Sequence, residues 1–116
     1  LNRLWEVSLE TLSACATDTF IDCPWRESAL WVNDLLVEVG MFLRGFGDAA
    51  FVGRSLRLAL SQTDENGLIP GVCPSDGQDK HILVATNLFF PMVMEDYVCF
   101  TGDVSLVAES LPKLHR

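Results

Sequence analysis

Two long apolar stretches, residues 29–43 and 82–100, each run into a short glycine–aspartate punctuation, and that pairing limits what the chain can build. With so few polar interruptions, each stretch predicts a helix buried on most sides. Phe46-Gly47-Asp48 supplies a glycine that can take φ > 0 and an aspartate suited to capping the next helix. Thr101-Gly102-Asp103 repeats the device 55 residues later (102 − 47). The apolar residues after each turn correspond as well: Phe51-Val52 with Leu106-Val107, and Leu56 with Leu111. The repeating unit is a helical hairpin, a buried helix joined by a tight turn to a more exposed return helix, so the fold class is all-α.

Around these hairpins the periodicity predicts a first helix over about 5–18, with Leu9, Leu12 and Ala16 on one face. Pro24 cannot continue a preceding helix but fits the first turn of a new one, which places the second helix over 24–44. A third runs to about 61, a fourth over 82–100 with a kink expected at Pro91, and a fifth over 104–114. Between the third and fourth, residues 62–81 hold Asp64, Asn66, Gly67, Pro70, Gly71, Pro74, Asp76 and Gly77, a loop too rich in turn formers for a regular element. The loop over 19–23 and this longer one both precede a buried helix, so antiparallel hairpins put them on one rim. Two hairpins cannot close a ring. Residues 1–116 therefore read as a single α-helical region, about two hairpins of a larger domain whose remaining hairpins are its partners.

Several classes of function drop out on composition. The 116 residues are 49% hydrophobic, with a mean hydropathy of +0.26, rich for a small helical protein. Residues 82–100 match a membrane span in length, yet Asn87, Glu95 and Asp96 are costly in hydrocarbon and Pro91 interrupts the ladder, so no membrane helix is expected. With 8 basic and 16 acidic residues and a net charge of −8, the chain repels a phosphate backbone, and nucleic-acid binding is not expected. Cys15, Cys23, Cys73 and Cys99 form no Cys-x-x-Cys pair, and His81 and His115 are the only histidines. No zinc-ligand spacing results; free and mostly buried thiols are expected, with no metal or organic cofactor. No signal-peptide pattern is visible, and the compartment stays open.

The chemistry gathers at Asp22-Cys23-Pro24-Trp25-Arg26-Glu27. Trp31 and Asp34 follow Glu27 by four and seven residues, one face of a helix at successive turns if the second helix starts at Pro24. Carboxylates in a partly apolar pocket can have their pKa values driven apart, one protonated as an acid and another ionised. An indole offers a flat apolar surface for a sugar ring. An ordinary structural reading stands beside this one: Asp22 as a cap, Glu27 complementing the helix dipole, Trp31 as core. Asp34 lies in an apolar run and needs a partner, for which Arg26 or Arg44 is available. Phe89, Phe90, Met92 and Met94 read as core, while Asp64, Glu65, Asp76, Asp79 and His81 sit in the long loop as rim residues.

The order and spacing of Asp22-Cys23-Pro24-Trp25-Arg26-Glu27, Trp31 and Asp34 resemble the Asp-Cys-Pro-x-Arg-Glu…Gly-Trp-x-Gly-Asp signature of bacterial α-L-rhamnosidases. Trp5-Glu6-Val7-Ser8 echoes an upstream segment of that family, and Tyr97-Val98-Cys99-Phe100-Thr101-Gly102-Asp103 matches a downstream one, so the resemblance spans nearly the whole chain. It implies a catalytic domain built as an (α/α)6 barrel of six helical hairpins and inverting hydrolysis of a rhamnoside-containing glycan or glycoside. It also implies Glu27 as general acid, with Asp22, Arg26, Trp31 and Asp34 binding the sugar. The second carboxylate, which activates water, belongs to a later hairpin in the family and has no position here, so the isolated chain is expected to be nearly inactive.

Two departures bear on specificity. Trp25 replaces a common glutamine, and the Gly-Trp-x-Gly-Asp stretch reads Leu30-Trp31-Val32-Asn33-Asp34. Contacts to individual hydroxyls decide which sugar a site accepts, so a six-hairpin glycosidase or lyase for another sugar is one alternative. A helical-repeat interaction module without catalysis is the other.

Overall fold

The computed structural model describes residues 1–75 and 81–114 of the chain. Among them are helices α1 (Asn2–Ala14), α2 (Leu35–Gly45), α3 (Ala49–Ser61), α4 (Val84–Thr101) and α5 (Ser105–Leu114), with two-residue strands β1 (Leu30–Trp31) and β2 (Val72–Cys73). None of these helices is long and apolar enough to cross a membrane.

The two hairpins form as their turn residues require. Gly47 and Gly102 adopt φ of 72° and 73°, the left-handed region where a side chain would be strained. The Asp48 carboxylate accepts the Phe51 amide at 3.0 Å and so caps α3. In the second turn Asp103 accepts the Ser105 amide at 2.8 Å and the Tyr97 hydroxyl at 3.1 Å. Thr101 donates to the Tyr97 carbonyl at 2.7 Å and accepts the Asp103 amide at 3.0 Å. The Tyr97-x-x-x-Thr101-Gly102-Asp103 segment is thus a self-bonded turn that joins α4 to α5.

The two inner helices, α2 and α4, lie against one another and carry much of the core, with Leu35, Val39 and Leu43 facing Phe90, Val93 and Met94 in one buried cluster. Phe20, Phe42 and Phe51 close one end of it, their ring centroids 4.9 to 5.1 Å apart. On α4 the apolar run divides: Phe90 and Met94 are buried, whereas Val84, Leu88, Phe89, Met92 and Phe100 are exposed. The expectation of core therefore holds for Phe90 and Met94 and fails for Phe89 and Met92, which lie on the outer side.

Three sequence expectations are corrected. The first helix ends at Ala14 rather than near Asp18, because the chain reverses at once: Ala16 bridges Phe20 and the Ile21 amide donates to the Cys15 carbonyl at 2.9 Å. The second helix starts at Leu35, not Pro24. Residues 22–29 instead close on themselves, the Asp22 amide donating to the Ala29 carbonyl at 3.0 Å and the Ala29 amide to Asp22 Oδ1 at 3.0 Å. Ser28, at φ 51°, turns the chain within this loop.

The third correction lies in the long loop, which contains a strand after all. Leu30 pairs with Cys73 and Trp31 with Val72, antiparallel, and the Val32 amide extends the ladder to the Gly71 carbonyl at 2.8 Å. The Gly71 amide in turn donates to the His81 carbonyl at 3.1 Å. A side chain on Gly71 would bring its Cβ within 2.8 Å of that carbonyl oxygen, so only glycine lets the segments approach this closely. Asn87 of α4 anchors the loop from below, accepting the Ile69 amide at 2.8 Å and donating to its carbonyl at 3.0 Å. The ladder thus ties the long loop to residues 30–32, which the sequence places inside the second helix, and not to the loop over 19–23.

Candidate active site

The closed loop between Asp22 and Ala29 presents Glu27, and the strand that follows presents Trp31. Both line a cavity of about 530 Å³ whose other wall is Ala29, Val72, Pro74, Ser75 and His81. The site is thus built across two loops, on a ladder rather than on one helical face, and the expected stripe of Glu27, Trp31 and Asp34 along a helix does not exist. Because β1 pairs with β2, Val72 and Pro74 come to the same cavity as Glu27 and Trp31. Asp34 sits at the N-cap of α2 with no capping hydrogen bond from its side chain.

Charge in the loop is organised by Arg26. Its Nε and Nη2 donate to Glu27 Oε1 at 2.8 and 2.5 Å, while the Cys23 thiol donates to Glu27 Oε2 at 3.3 Å. These bonds, the one from Arg26 foremost, hold the Glu27 carboxyl below its ordinary range. Burial works to raise Asp22, but the contacts from Cys23 and the Ala29 amide outweigh it and leave that carboxyl lowered too. Both groups are carboxylates at neutral pH.

The first turn of α2 is different. Burial, and then the charge of Asp22, raises Asp34. Glu38, one turn further on, is pushed up to about 8 by burial and by Asp34 and Asp22. Neither arginine considered for Asp34 serves it: Arg26 holds Glu27, and Arg44 pairs with Asp96 of α4 at 3.6 Å. Glu38 was not singled out from the sequence, although the test applied to Asp34, a charge within an apolar run, applies equally to it. With Asp22 it lines a second cavity, of about 300 Å³, completed by Val7, Ser8, Thr11, Leu12, Cys15 and Met41. Asp22 therefore stands between two spaces, bonded into the Glu27 loop on one side and facing Glu38 on the other.

Other expectations separate cleanly. Asp64 turns its carboxylate to the Asn66 and Leu68 amides at 2.9 and 2.8 Å and, with Glu65, lines a different cavity beside Lys113. Of the rim residues His81 alone reaches the Glu27 cavity; Asp76 and Asp79 lie outside the described residues. Trp25, 92% exposed, does not line this cavity. Cys15 and Cys73 are buried, Cys23 half-buried and Cys99 exposed, all free. Asp22, Cys23 and Glu27 bring ligand-type atoms within 4.8 Å of one another, but Arg26 already supplies the cation there, and the trio is not assigned as a metal site.

The family model for the bacterial alpha-L-rhamnosidase 6 hairpin glycosidase domain matches residues 1–116, the full length of the chain. The chain belongs to this family. No curated protein and no solved structure matches significantly. As a six-hairpin glycosidase domain of the alpha-L-rhamnosidase family it is of the glycoside hydrolase kind, its substrate class is carbohydrate, and its helical hairpins are part of a larger domain. In a glycosidase a carboxyl facing an indole across a cavity of sugar size has the elements needed to bind a ring and act on its glycosidic oxygen.

Proposed function

We propose that this chain supplies the acid side of a site that hydrolyses terminal α-L-rhamnosides with inversion. The observation that carries the reading is the shared cavity of Glu27 and Trp31, with Asp22 bonded into the same loop. The sugar lies on the indole, Asp22, Asp34 and Arg26 hold its hydroxyls, and Glu27 delivers a proton to the leaving oxygen. A base about 6.5–9.5 Å away takes a proton from the attacking water; this carboxylate comes from a hairpin outside residues 1–116, and the chain by itself turns over little.

Glu27 must hold a proton to act, and its bonds to Arg26 oppose that in the sugar-free site. Arg26 has a side chain that is 84% exposed, so it is free to exchange Glu27 for a sugar hydroxyl. Once the cation leaves and the ring excludes water, both changes raise the carboxyl toward the protonated form. Substrate binding itself thereby arms the acid.

The test is hydrolysis of a chromogenic α-L-rhamnoside by the longest natural chain that carries these residues, beside its Glu27→Gln variant. Turnover is expected to fall at least about 10²-fold, with the unfolding temperature unchanged. A variant that keeps its turnover removes Glu27 from the role of acid. Turnover confined to another glycoside keeps the acid and replaces the sugar.

A further inference from the structure

Glu38 lines the cavity behind Asp22, and the donors around it are directed elsewhere. The Ser8 and Thr11 hydroxyls each donate to their own helix, to the Leu4 and Val7 carbonyls, at 2.8 Å. The Cys15 thiol is directed to the Asp22 carbonyl at 3.9 Å. Asp22 itself is ionised. Among the described residues no hydrogen bond or ion pair reaches the Glu38 carboxyl. A carboxylate placed here meets no protein donor among the described residues, whereas a carboxylic acid brings its own.

We propose that Glu38 is a proton-bearing positioning residue of the sugar site, which acts through Asp22 from behind the closed loop and does not touch the sugar. This rests on the reading of Asp22 as a sugar ligand. While Glu38 keeps its proton, Asp22 is free to hold the Ala29 amide, the bond that closes the loop and sets Glu27. When Glu38 ionises, two carboxylates, its own and that of Asp22, share one cavity, and like-charge repulsion loosens that bond.

The charged and titratable groups around Glu38 leave its proton as the variable. From α1 it faces Cys15, while Glu6 and Glu10 turn to Arg3. From the loop it faces Asp22, and from its own helix Asp34. From α4 the nearby acid, Asp96, sits against Gly40 and is paired with Arg44. No cation approaches it from any of these elements.

The experiment is an NMR titration of the longest natural chain that carries these residues, selectively labelled at glutamate and alanine, which follows the Glu38 side-chain carboxyl carbon and the Ala29 amide across neutral to alkaline pH. Glu38 is expected to titrate near 8, with the Ala29 amide moving in step and that movement absent in Glu38→Gln. L-Rhamnose affinity should fall at least about threefold across the same step in the parent chain and stay level in Glu38→Gln. A Glu38 midpoint below about 6, an Ala29 amide that ignores the Glu38 step, or the same step persisting in Glu38→Gln overturns the proposal. Should Glu38→Gln fail to fold, the co-titration of Glu38 and Ala29 in the parent chain decides alone. A chain that binds no rhamnose at any pH would remove the sugar-site reading, while the coupling of Glu38 to Ala29 is still judged by its own signal.

Discussion

The loop closed by Asp22 and Ala29 and the first turn of α2 each hold two acidic residues, and they shift the pKa values of those residues in opposite directions. In the loop, Asp22 and Glu27 meet an amide, a thiol and a guanidinium, so both carboxyls are lowered. At the helix start, burial foremost and then the charge of Asp22 raise Asp34, and burial foremost and then Asp34 and Asp22 raise Glu38. The residue types are the same and the separation along the chain is small. What differs is the supply of donors: the Leu36, Val37 and Glu38 amides are taken by the Asn33 and Asp34 carbonyls, while the loop leaves the Ala29 amide to the Asp22 side chain. The direction in which each carboxyl shifts therefore follows the backbone that carries it.

The contrast is broken most severely at Glu38. Its folded value near 8 against 4.5 for the free group means that the folded chain keeps a proton the unfolded chain has released. Stability is complete below about pH 4.5 and is lost as pH rises to about 8. Glu38→Gln removes this loss, and with solvent screening at the edge of the side chain the gain is about 2–3 kcal/mol. Urea unfolding at pH 8.5 should show the variant more stable than the parent, and at pH 4.5 the two should coincide. Equal stabilities at pH 8.5 would mean that Glu38 finds a donor when charged.

A smaller effect tests the loop side. Asp22→Ala leaves the Ala29 amide without its partner, at a cost of about 1–2 kcal/mol. Hydrogen exchange should accelerate first at Ala29 and Val32, which flank β1, and leave α3 unchanged. Uniform acceleration across the chain would instead make Asp22 part of the general core.

The smallest effect, and the one closest to the chemistry, comes from Arg26→Gln. An exposed ion pair of this kind contributes little stability, so the unfolding temperature should barely move. The Glu27 carboxyl, followed by NMR, should rise toward the ordinary glutamate range, because its largest lowering contact is gone. A Glu27 that stays lowered would assign the effect to Cys23, and Cys23→Ala would then produce the rise.

What was legible in the sequence follows the same division. The capped turns at Gly47-Asp48 and Gly102-Asp103, and the three helices after the first turn, are local devices, and their bounds came within a few residues. Pro24 was read by local rules as a helix start, and those rules contain nothing about Val72 and Cys73, 41 or more residues away (72 − 31). The long-range ladder overrides the helical pattern of 24–34 and carries Trp31 to the cavity. Glu27, Trp31 and Asp22 emerged from their motif without their geometry. The motif says which residue types recur and is silent on the backbone that holds them. Glu38, outside any motif, needed its burial to be seen.

The two-residue ladder between β1 and β2 also has a consequence in time. Chains fold largely in the order in which they are made, and contacts between distant segments form late. Glu27 leaves the ribosome well before Val72 and Gly71, so through that interval its carboxyl is present with no second wall beside it. The site matures only when the second loop arrives and the backbone closes over Gly71. A slow or faulty closure at Gly71 would yield chains with native-like helices, intact acid residues and no pocket, a population that helical signal alone would count as finished.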